Sequence, residues 1–515
     1  MIIGFSISTN YFHAVKILSA SQIRALDKFT IEKQKIASID LMERAADAYK
    51  GSFCGGADYP IVVFCGQGNN GGDGLAIARM MLDIPEKVSA YIVEHDGTPS
   101  KDFLINKKRL EKRIPVKSIK TIKDIPKISP KTCVIDAIFG SGLSRPADGI
   151  AAAVIQAINK SKALVYSVDV PSGLFCDHSN APDDSIVQAI ETLTFHAPKF
   201  SFFFPENARY IPSFEVIDIE LDRKFATQLP SNRFIFDKTI YKPVLKKRPK
   251  FSHKGDYGHA LVAAGSFGKI GAAVLSVKAA LRSGAGLITA AVPACGYEIM
   301  QSTNPEAMAL VSGDSHLFNV PELSSFDVIA VGPGLGVSSS STAFLFDLLN
   351  EYKKPLVLDA DALNIISAHR KYAALIPVGS ILTPHPGEFK RLVGEWKNDE
   401  EKYEKQVAFS VNHKVVIVLK GTYTSITNPE GEIHFMQAGN PGMAKGGSGD
   451  VLTGILVSLL AQKYTSFEAA LLGVYVHGQA GDLAKKSLGE TTMKAGDIIE
   501  QLPAVFKDLE KENNY

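Results

Sequence analysis

Cysteine is scarce and scattered. The five thiols, Cys54, Cys65, Cys133, Cys176 and Cys295, form no CxxC pair and no cluster with histidine, which argues against a disulfide framework or zinc site and points to a reducing, cytoplasmic setting. An excess of charge of one sign is also missing. With 56 Lys and Arg against 54 Asp and Glu, the formal charge is +2, so nothing suggests nucleic acid or a membrane surface as partner. No uninterrupted apolar run reaches membrane-spanning length, and the first twenty residues lack the basic start and long apolar core of a signal peptide. What remains is a chain of 515 residues, 45% hydrophobic and 21% charged, long enough for roughly two to four domains with sizeable cores.

Short runs rich in Val and Ile recur, each followed by a glycine-containing loop and a helical pattern: "YPIVVFCGQGNNGGDGLAIARMML", "KVSAYIVEH", "KTCVIDAIFG" and "KALVYSVDVPSG". Buried parallel strands read this way, so residues 1–222 are expected to form a doubly wound α/β sheet. Residues 223–249 have three prolines, no helical period and a basic knot at Lys246, Lys247 and Arg248 that continues to Lys250. They read as a solvated linker, with a phosphate-binding patch as the alternative. A second strand-and-helix series begins at residue 250 and runs to 515, giving a second α/β domain.

In the first domain, "CGQGNNGGDGL" (Cys65 to Leu75) links a strand to a helix. Its glycines allow a sharp turn and close backbone approach to a phosphate, although it has neither the dinucleotide GxGxxG spacing nor a Walker lysine. A tight turn that merely needs its glycines is the plain alternative. "VIDAIFGSGLSR" and "VYSVDVPSGL" carry Asp136, Asp169 and Ser172 at or after the ends of two further strands. Carboxyl ends of strands share one crevice in an open α/β sheet, so Asn70, Asp136, Asp169 and Ser172 are candidates to converge there. Their oxygens suit a hard cation, and two aspartates in different surroundings suit a division between holding it and moving a proton.

"GNNGGDGL", "DAIFGSGLSR", "VDVPSGL" and "TFHAPK", in this order, resemble the YjeF N-terminal domain, the epimerase of damaged nicotinamide cofactors. The resemblance implies a Rossmann-like three-layer α/β/α sandwich. It implies that hydrated NADH or NADPH is held by Asn69, Asn70, Gly71, Gly72 and Asp73 and by Gly140, Ser141, Gly142, Leu143, Ser144 and Arg145, with Asp169 touching the substrate as catalytic acid/base. Ser141 stands where threonine is common. The resemblance also implies potassium on Asn70, Asp136 and Ser172. The same fold serves as a noncatalytic binding module in some scaffolds, a version against which the intact aspartates argue.

In the second domain, "GNPGMAKGGSGD" (Gly439 to Asp450) precedes the apolar helix pattern "VLTGILVSLLAQ". Unpaired N–H groups at a helix start attract anions, and a carboxylate belongs beside a phosphate only if it acts there as a base. The stretch resembles the anion hole of ribokinase-like enzymes. With "HKGDYGHALVAAGS", "KAALRSGAGL", "VGPGLG", "LDADALN", "LTPHPGEFKRL" and "LKGTYT", it resembles the YjeF C-terminal domain, a ribokinase-like α/β dehydratase of (S)-NAD(P)H hydrate that uses ADP or ATP. The hydrate is then expected on Ala272, Gly334 and His385, Pro386, Gly387, Glu388, Phe389, Lys390 and Arg391, with Asp450 as catalytic base. The nucleotide is expected on Lys420, Gly421, Thr422, Tyr423, Thr424, Asn440, Gly442, Met443, Ala444, Lys445, Gly446, Gly447, Ser448 and Gly449. "PHPGE" also reads as a strand-end turn, and Lys420 equally as a solvated loop lysine. The aspartates of "LDADALN" are expected to orient the site and could attract magnesium. Both resemblances together imply a bifunctional NAD(P)H-hydrate repair enzyme assembled as a homo-oligomer. The competing reading is a vitamin or sugar kinase carrying a noncatalytic binding module.

Overall fold

The computed structural model describes residues 15–55, 59–83, 88–95, 97–236 and 245–512. Residues 237–244 of the expected linker, and 1–14 and 513–515 at the edges of the expected domains, lie outside them. Two compact units emerge, one gathering Lys16–Arg233 with Asn398–Glu400, the other most of the chain from Phe234 onward.

The first unit is built on β1 (Ile61–Cys65), β2 (Val88–Val93), β3 (Val116–Ile119), β4 (Cys133–Ala137), β5 (Leu164–Val168), β6 (Glu191–Phe195) and β7 (Phe214–Ile217). They pair in the order β3-β2-β1-β4-β5-β6-β7, all parallel. Alternate side chains leave opposite faces of a strand. Val63, Ile135 and Val168 therefore meet Leu26, Leu75 and Leu110 from helices on one side, while Phe64, Val134 and Val165 meet Val154, Ile155 and Ile158 of the helix Gly149–Lys160 on the other. This is the expected three-layer α/β/α sandwich. Strand order reverses between β1 and β4, which opens a crevice beyond their carboxyl ends.

The second unit carries β8 (His259–Ala263), β9 (Leu287–Val292), β10 (Met308–Val311), β11 (Val328–Val331), β12 (Leu356–Leu358), β13 (Ile381–Leu382), β14 (Val416–Leu419), β15 (Thr424–Thr427) and β16 (Ile433–Met436). Their order is β10-β9-β8-β11-β12-β13-β14-β15-β16, parallel through β14 and antiparallel for the last two pairings. The helix Ser448–Ala461 is apolar nearly all round, as a helix buried in a core must be. It packs with Ile270–Arg282, Ser466–Leu488 and Ala495–Glu512 over one face of the sheet. The reversal here falls between β8 and β11.

The region read as a linker departs from expectation. Asp222 caps a short helix, Arg223–Gln228, and Phe225 stacks on Phe29 with ring centroids 4.0 Å apart, so this part belongs to the first unit. The basic knot is neither free in solvent nor a phosphate patch at its two best-placed members. Lys246 donates to the Lys463 carbonyl and lies 4.4 Å over the Tyr464 ring. Arg248 donates to the Gly284 carbonyl and lies 3.9 Å over the Tyr257 ring. Cations docked on carbonyls and aromatic faces fasten a segment to its own unit.

Candidate functional site

The first unit's crevice is built from three strand ends. The helix Asn69–Met80 begins directly after β1, with Gly68 as N-cap. Several glycines here serve packing, as the plain reading proposed. A methyl at Gly66 would lie 2.0 Å from the Ile138 carbonyl oxygen, one at Gly71 would lie 1.9 Å from that of Gly66, and one at Gly74 would lie 2.5 Å from the Ala137 methyl. Gly72 abuts Met42 in the same way. Among the glycines of this loop, Gly68 has open space beside its Cα.

Asp136 is the penultimate residue of β4, with no exposure. It accepts from Ser167 Oγ at 2.9 Å, Ser172 N at 2.8 Å, Ser172 Oγ at 2.5 Å and Ile138 N at 3.4 Å. Burial raises its pKa and these bonds oppose the rise, because desolvation penalises the charged form while donated hydrogen bonds favour it. Ser172 Oγ also accepts from Phe139 N, and Asn70 lies against Gly140, one residue on. Asn70, Asp136 and Ser172 are thus gathered around residues 139–140. The Asn70 Nδ2 atom is buried without a partner. Gly140, Ser141, Gly142, Leu143, Ser144 and Arg145 form a partly to fully exposed loop after β4.

Asp169, after β5, adopts φ 63°, a left-handed conformation rare for a residue with a Cβ and concentrated at functional sites. Its Oδ1 lies 2.8 Å from the Lys199 ammonium. Two neighbouring carboxyls answer to it. Asp27, on the helix Ala20–Gln34, has its pKa pushed up to about 6 by burial and then by Asp169. Asp73 is raised well above the carboxylate range, again by burial first and Asp169 second. Neither Asp27 nor Lys199 is among the sequence-derived site residues; "TFHAPK" contained the lysine, but its burial could not be read there.

In the second unit, Asp450 lies in the first turn of Ser448–Ala461, after Gly447 at φ 94°. The N–H groups of such a turn have no intrahelical acceptors. A methyl at Gly449 would lie 3.3 Å from Lys420 Nζ and 3.8 Å from Asp359 Oδ2, so the glycine turn, the lysine and Asp359 are neighbours. Lys420 pairs with Asp359 at 2.9 Å and Glu388 at 3.9 Å. Burial works against its charge, but Asp359 and Glu388 outweigh that and raise its pKa. It is therefore not a solvated loop lysine. Asp359 also accepts from Thr453 Oγ1 at 2.8 Å. Asp450 is pushed up to about 6 by burial, then Asp359, with Lys420 opposing. His477, pushed down to about 4 by burial, is neutral and meets Ser448 Oγ through Nε2 at 3.3 Å.

Ala272 and Gly334 adjoin: a methyl at Gly334 would lie 3.0 Å from that of Ala272. Asp361 receives Gly336 N at 2.8 Å and pairs with Lys269 at 3.3 Å. It also receives Asn364 Nδ2, and the Asn364 oxygen accepts from Arg391 Nε at 3.1 Å. Four expected contacts are otherwise engaged. His385 Nδ1 caps the helix Pro386–Val393, with Glu388 completing the reciprocal bond, as the strand-end-turn reading foresaw. Phe389 is fully buried against Trp396, so its side chain is core and cannot touch a ligand. Lys390 pairs with Glu395 at 2.7 Å. Lys445 donates to the Thr491 and Met493 carbonyls, both at 2.6 Å, which directs its ammonium into holding the glycine loop. In the same loop Gly442 is buried, where a methyl would meet Met493 Sδ at 2.5 Å, and Met443 packs on Gly481. Asn440 caps the turn at 441–443 and donates to Asp482 at 3.1 Å. Gly421, Thr422 and Tyr423 form the loop into β15, which Thr424 begins, while Ala444 and Gly446 are exposed.

The family model of the YjeF-related protein N-terminus matches residues 38–201, and that of NAD(P)H-hydrate dehydratase matches residues 260–504. The bifunctional NAD(P)H-hydrate repair enzyme Nnr of Moorella thermoacetica is 36% identical, over 96% of this chain and 97% of its own. The protein of that name from Thermofilum pendens is 33% identical, over 97% of both. Among solved structures, the ADP/ATP-dependent NAD(P)H-hydrate dehydratase of Bacillus subtilis, co-crystallised with ATP/Mg2+, is 32% identical, over 52% of this chain and 95% of its own, with a TM-score of 0.46.

Proposed function

The chain belongs to the bifunctional NAD(P)H-hydrate repair enzymes, and we propose that its two units divide the repair as epimerase and dehydratase at the residues described above. It is an enzyme with both activities. As isomerase it interconverts (R)- and (S)-NAD(P)H hydrate, and as lyase it returns the S form to NAD(P)H with an adenine nucleotide. With ADP the by-products are AMP and phosphate. The vitamin or sugar kinase reading is not favoured, since relatives match across both halves of the chain.

The hydrate carries hydroxyl on a ring carbon beside nitrogen, and hydroxide leaves poorly. Transfer of a phosphoryl group makes the leaving group phosphate; the nitrogen lone pair expels it to give an iminium, and loss of a proton from the adjacent ring carbon reforms the ring double bond and returns the lone pair to nitrogen. The observation that carries the assignment is Asp450 in the first turn of the glycine-headed helix, with Lys420 beside Gly449. Asp450 takes the hydroxyl proton. The first-turn N–H groups and the Lys420 ammonium, held by Asp359, neutralise the phosphoryl group in transfer. Lys420 to Thr424 and Asn440 to Gly449 border the nucleotide, while Ala272, Gly334 and the turn from His385 to Arg391 border the hydrate, with Phe389 supporting from the core.

Among the described residues no group of three or more His, Cys, Asp or Glu is arranged to hold a metal, and Asp359 and Asp361 are engaged by protein donors. Magnesium fits here as an ion carried on the nucleotide phosphates, with few protein ligands. The test of Asp450 is nucleotide-dependent recovery of dihydronicotinamide absorbance from the S hydrate. Asp450→Asn is expected to slow it by about 10²–10⁴, and full activity in that variant would remove the assignment.

In the first unit Asp169 is the acid/base at the hemiaminal carbon, bordered by residues 69–73 and 140–145. Asn70, Asp136 and Ser172 fit potassium: their side-chain oxygens are hard donors, and the three residues are gathered around residues 139–140. A bound cation would supply fixed positive charge that keeps Asp136 ionised.

A further inference from the structure

A lysine ammonium sealed inside a protein is costly unless it is paired and fully hydrogen-bonded. Lys199 is 1% exposed. Its ammonium donates to the Ala197 carbonyl at 3.0 Å and the Phe195 carbonyl at 3.3 Å, and it forms an ion pair with Asp169 Oδ1 at 2.8 Å. Thr194 Oγ1 and Phe195 N donate to that same Oδ1, each at 3.2 Å. Two donors and one cation thus converge on one oxygen of Asp169. Its Oδ2 has no hydrogen-bond partner among the described residues. The backbone serves the same arrangement. β5 and β6 pair in register up to Val168 and Leu193, and the residues that leave them, Asp169 and His196, take φ of 63° and 65°.

The titratable groups facing Asp169 are Asp27 from the first helix, Asp73 from the helix after β1, Cys176, and Lys199. Three neighbouring carboxyls in a buried site do not all ionise. The cation among these groups sits on Asp169.

We propose that Lys199 is a positioning residue of the epimerase. With Thr194 and Phe195 it anchors Asp169 Oδ1, so that Oδ2 is presented as a carboxylate oxygen to the hydroxyl of the hydrated nicotinamide. This rests on Asp169 being the acid/base of the first unit.

The experiment follows conversion of (R)- to (S)-NADH hydrate by the full chain, without nucleotide, at fixed potassium. Chromatography resolves the two isomers. Wild type is compared with Lys199→Met, Lys199→Arg, Thr194→Val and Asp169→Asn, and ADP-dependent dehydration of the S hydrate calibrates each preparation. Lys199→Met is expected to lower kcat of epimerisation by at least ~10-fold with KM little changed, since a misplaced catalytic group is felt in the chemical step. Lys199→Arg is expected to restore most of kcat. Thr194→Val lowers kcat by less. Wild-type kcat in Lys199→Met would overturn the proposal. Should that variant not fold, an unchanged kcat in Thr194→Val would do the same. Normal epimerisation by Asp169→Asn would remove the Asp169 role itself, and Lys199 would fall with it for a reason distinguishable from the first.

Discussion

At the scale of single residues, the two halves rely on carboxyls in different company. Asp450 is pushed up to about 6 by burial and by Asp359. A general base must be ionised, so dehydration is expected to be full above that value and to fall as pH drops through about 6. A pH profile of kcat on the S hydrate, paired with nucleotide binding at each pH, checks this. Asp450→Asn is expected to lower kcat by about 10²–10⁴, the usual worth of a positioned base. Asp359→Ala is expected to raise KM for the nucleotide as well as lower kcat, because it leaves Lys420 without its 2.9 Å partner. Asp450 was legible because a lone carboxylate among glycines before an apolar helix asks for a chemical reason. Asp27 was not: it lies 142 residues before Asp169 on a helix with no motif, and only the fold brings the two together. Lys199 was visible as a letter, but lysines are mostly exposed, and nothing local announces one that is not.

At the scale of elements, the strand-loop-helix from β1 into Asn69–Met80 is held by close backbone approach. Gly71→Ala would place a methyl 1.9 Å from the Gly66 carbonyl oxygen. Backbone cannot yield as a side-chain end can, so a destabilisation of at least ~1–3 kcal/mol is expected. Denaturant unfolding would report it, together with loss of epimerisation; Gly68→Ala, in open space, should cost far less. Type and order of these elements were readable because apolar runs followed by glycine and a helical period are strong local signals. The region after residue 222 was misread for the opposite reason. A helix of six residues shows too little period to detect, and its stability comes from the Asp222 cap and from stacking on Phe29. The basic knot was likewise read by composition, which cannot see that Tyr257 and Tyr464 wait to receive Arg248 and Lys246.

At the scale of the molecule, two sheets of related winding each reverse their strand order, and the proposed sites lie beyond the carboxyl ends of the strands at those reversals. The pairing of activities follows from stereochemistry. A site that transfers phosphate to one hydroxyl orientation leaves the other isomer behind, and the first unit returns it. Replacing potassium by lithium at constant ionic strength is expected to slow consumption of the R hydrate and leave dehydration of the S hydrate unchanged. Equal effects on both would argue that the cation acts elsewhere than at Asn70, Asp136 and Ser172.

The most direct test gives the full chain purified (R)-NADH hydrate with ADP, with ATP or without nucleotide, and follows dihydronicotinamide absorbance. Recovery that requires a nucleotide, runs faster than spontaneous interconversion and becomes limited to the spontaneous rate in Asp169→Asn is the predicted result. No recovery above the spontaneous rate in wild type, or equal recovery in Asp169→Asn, would contradict the account.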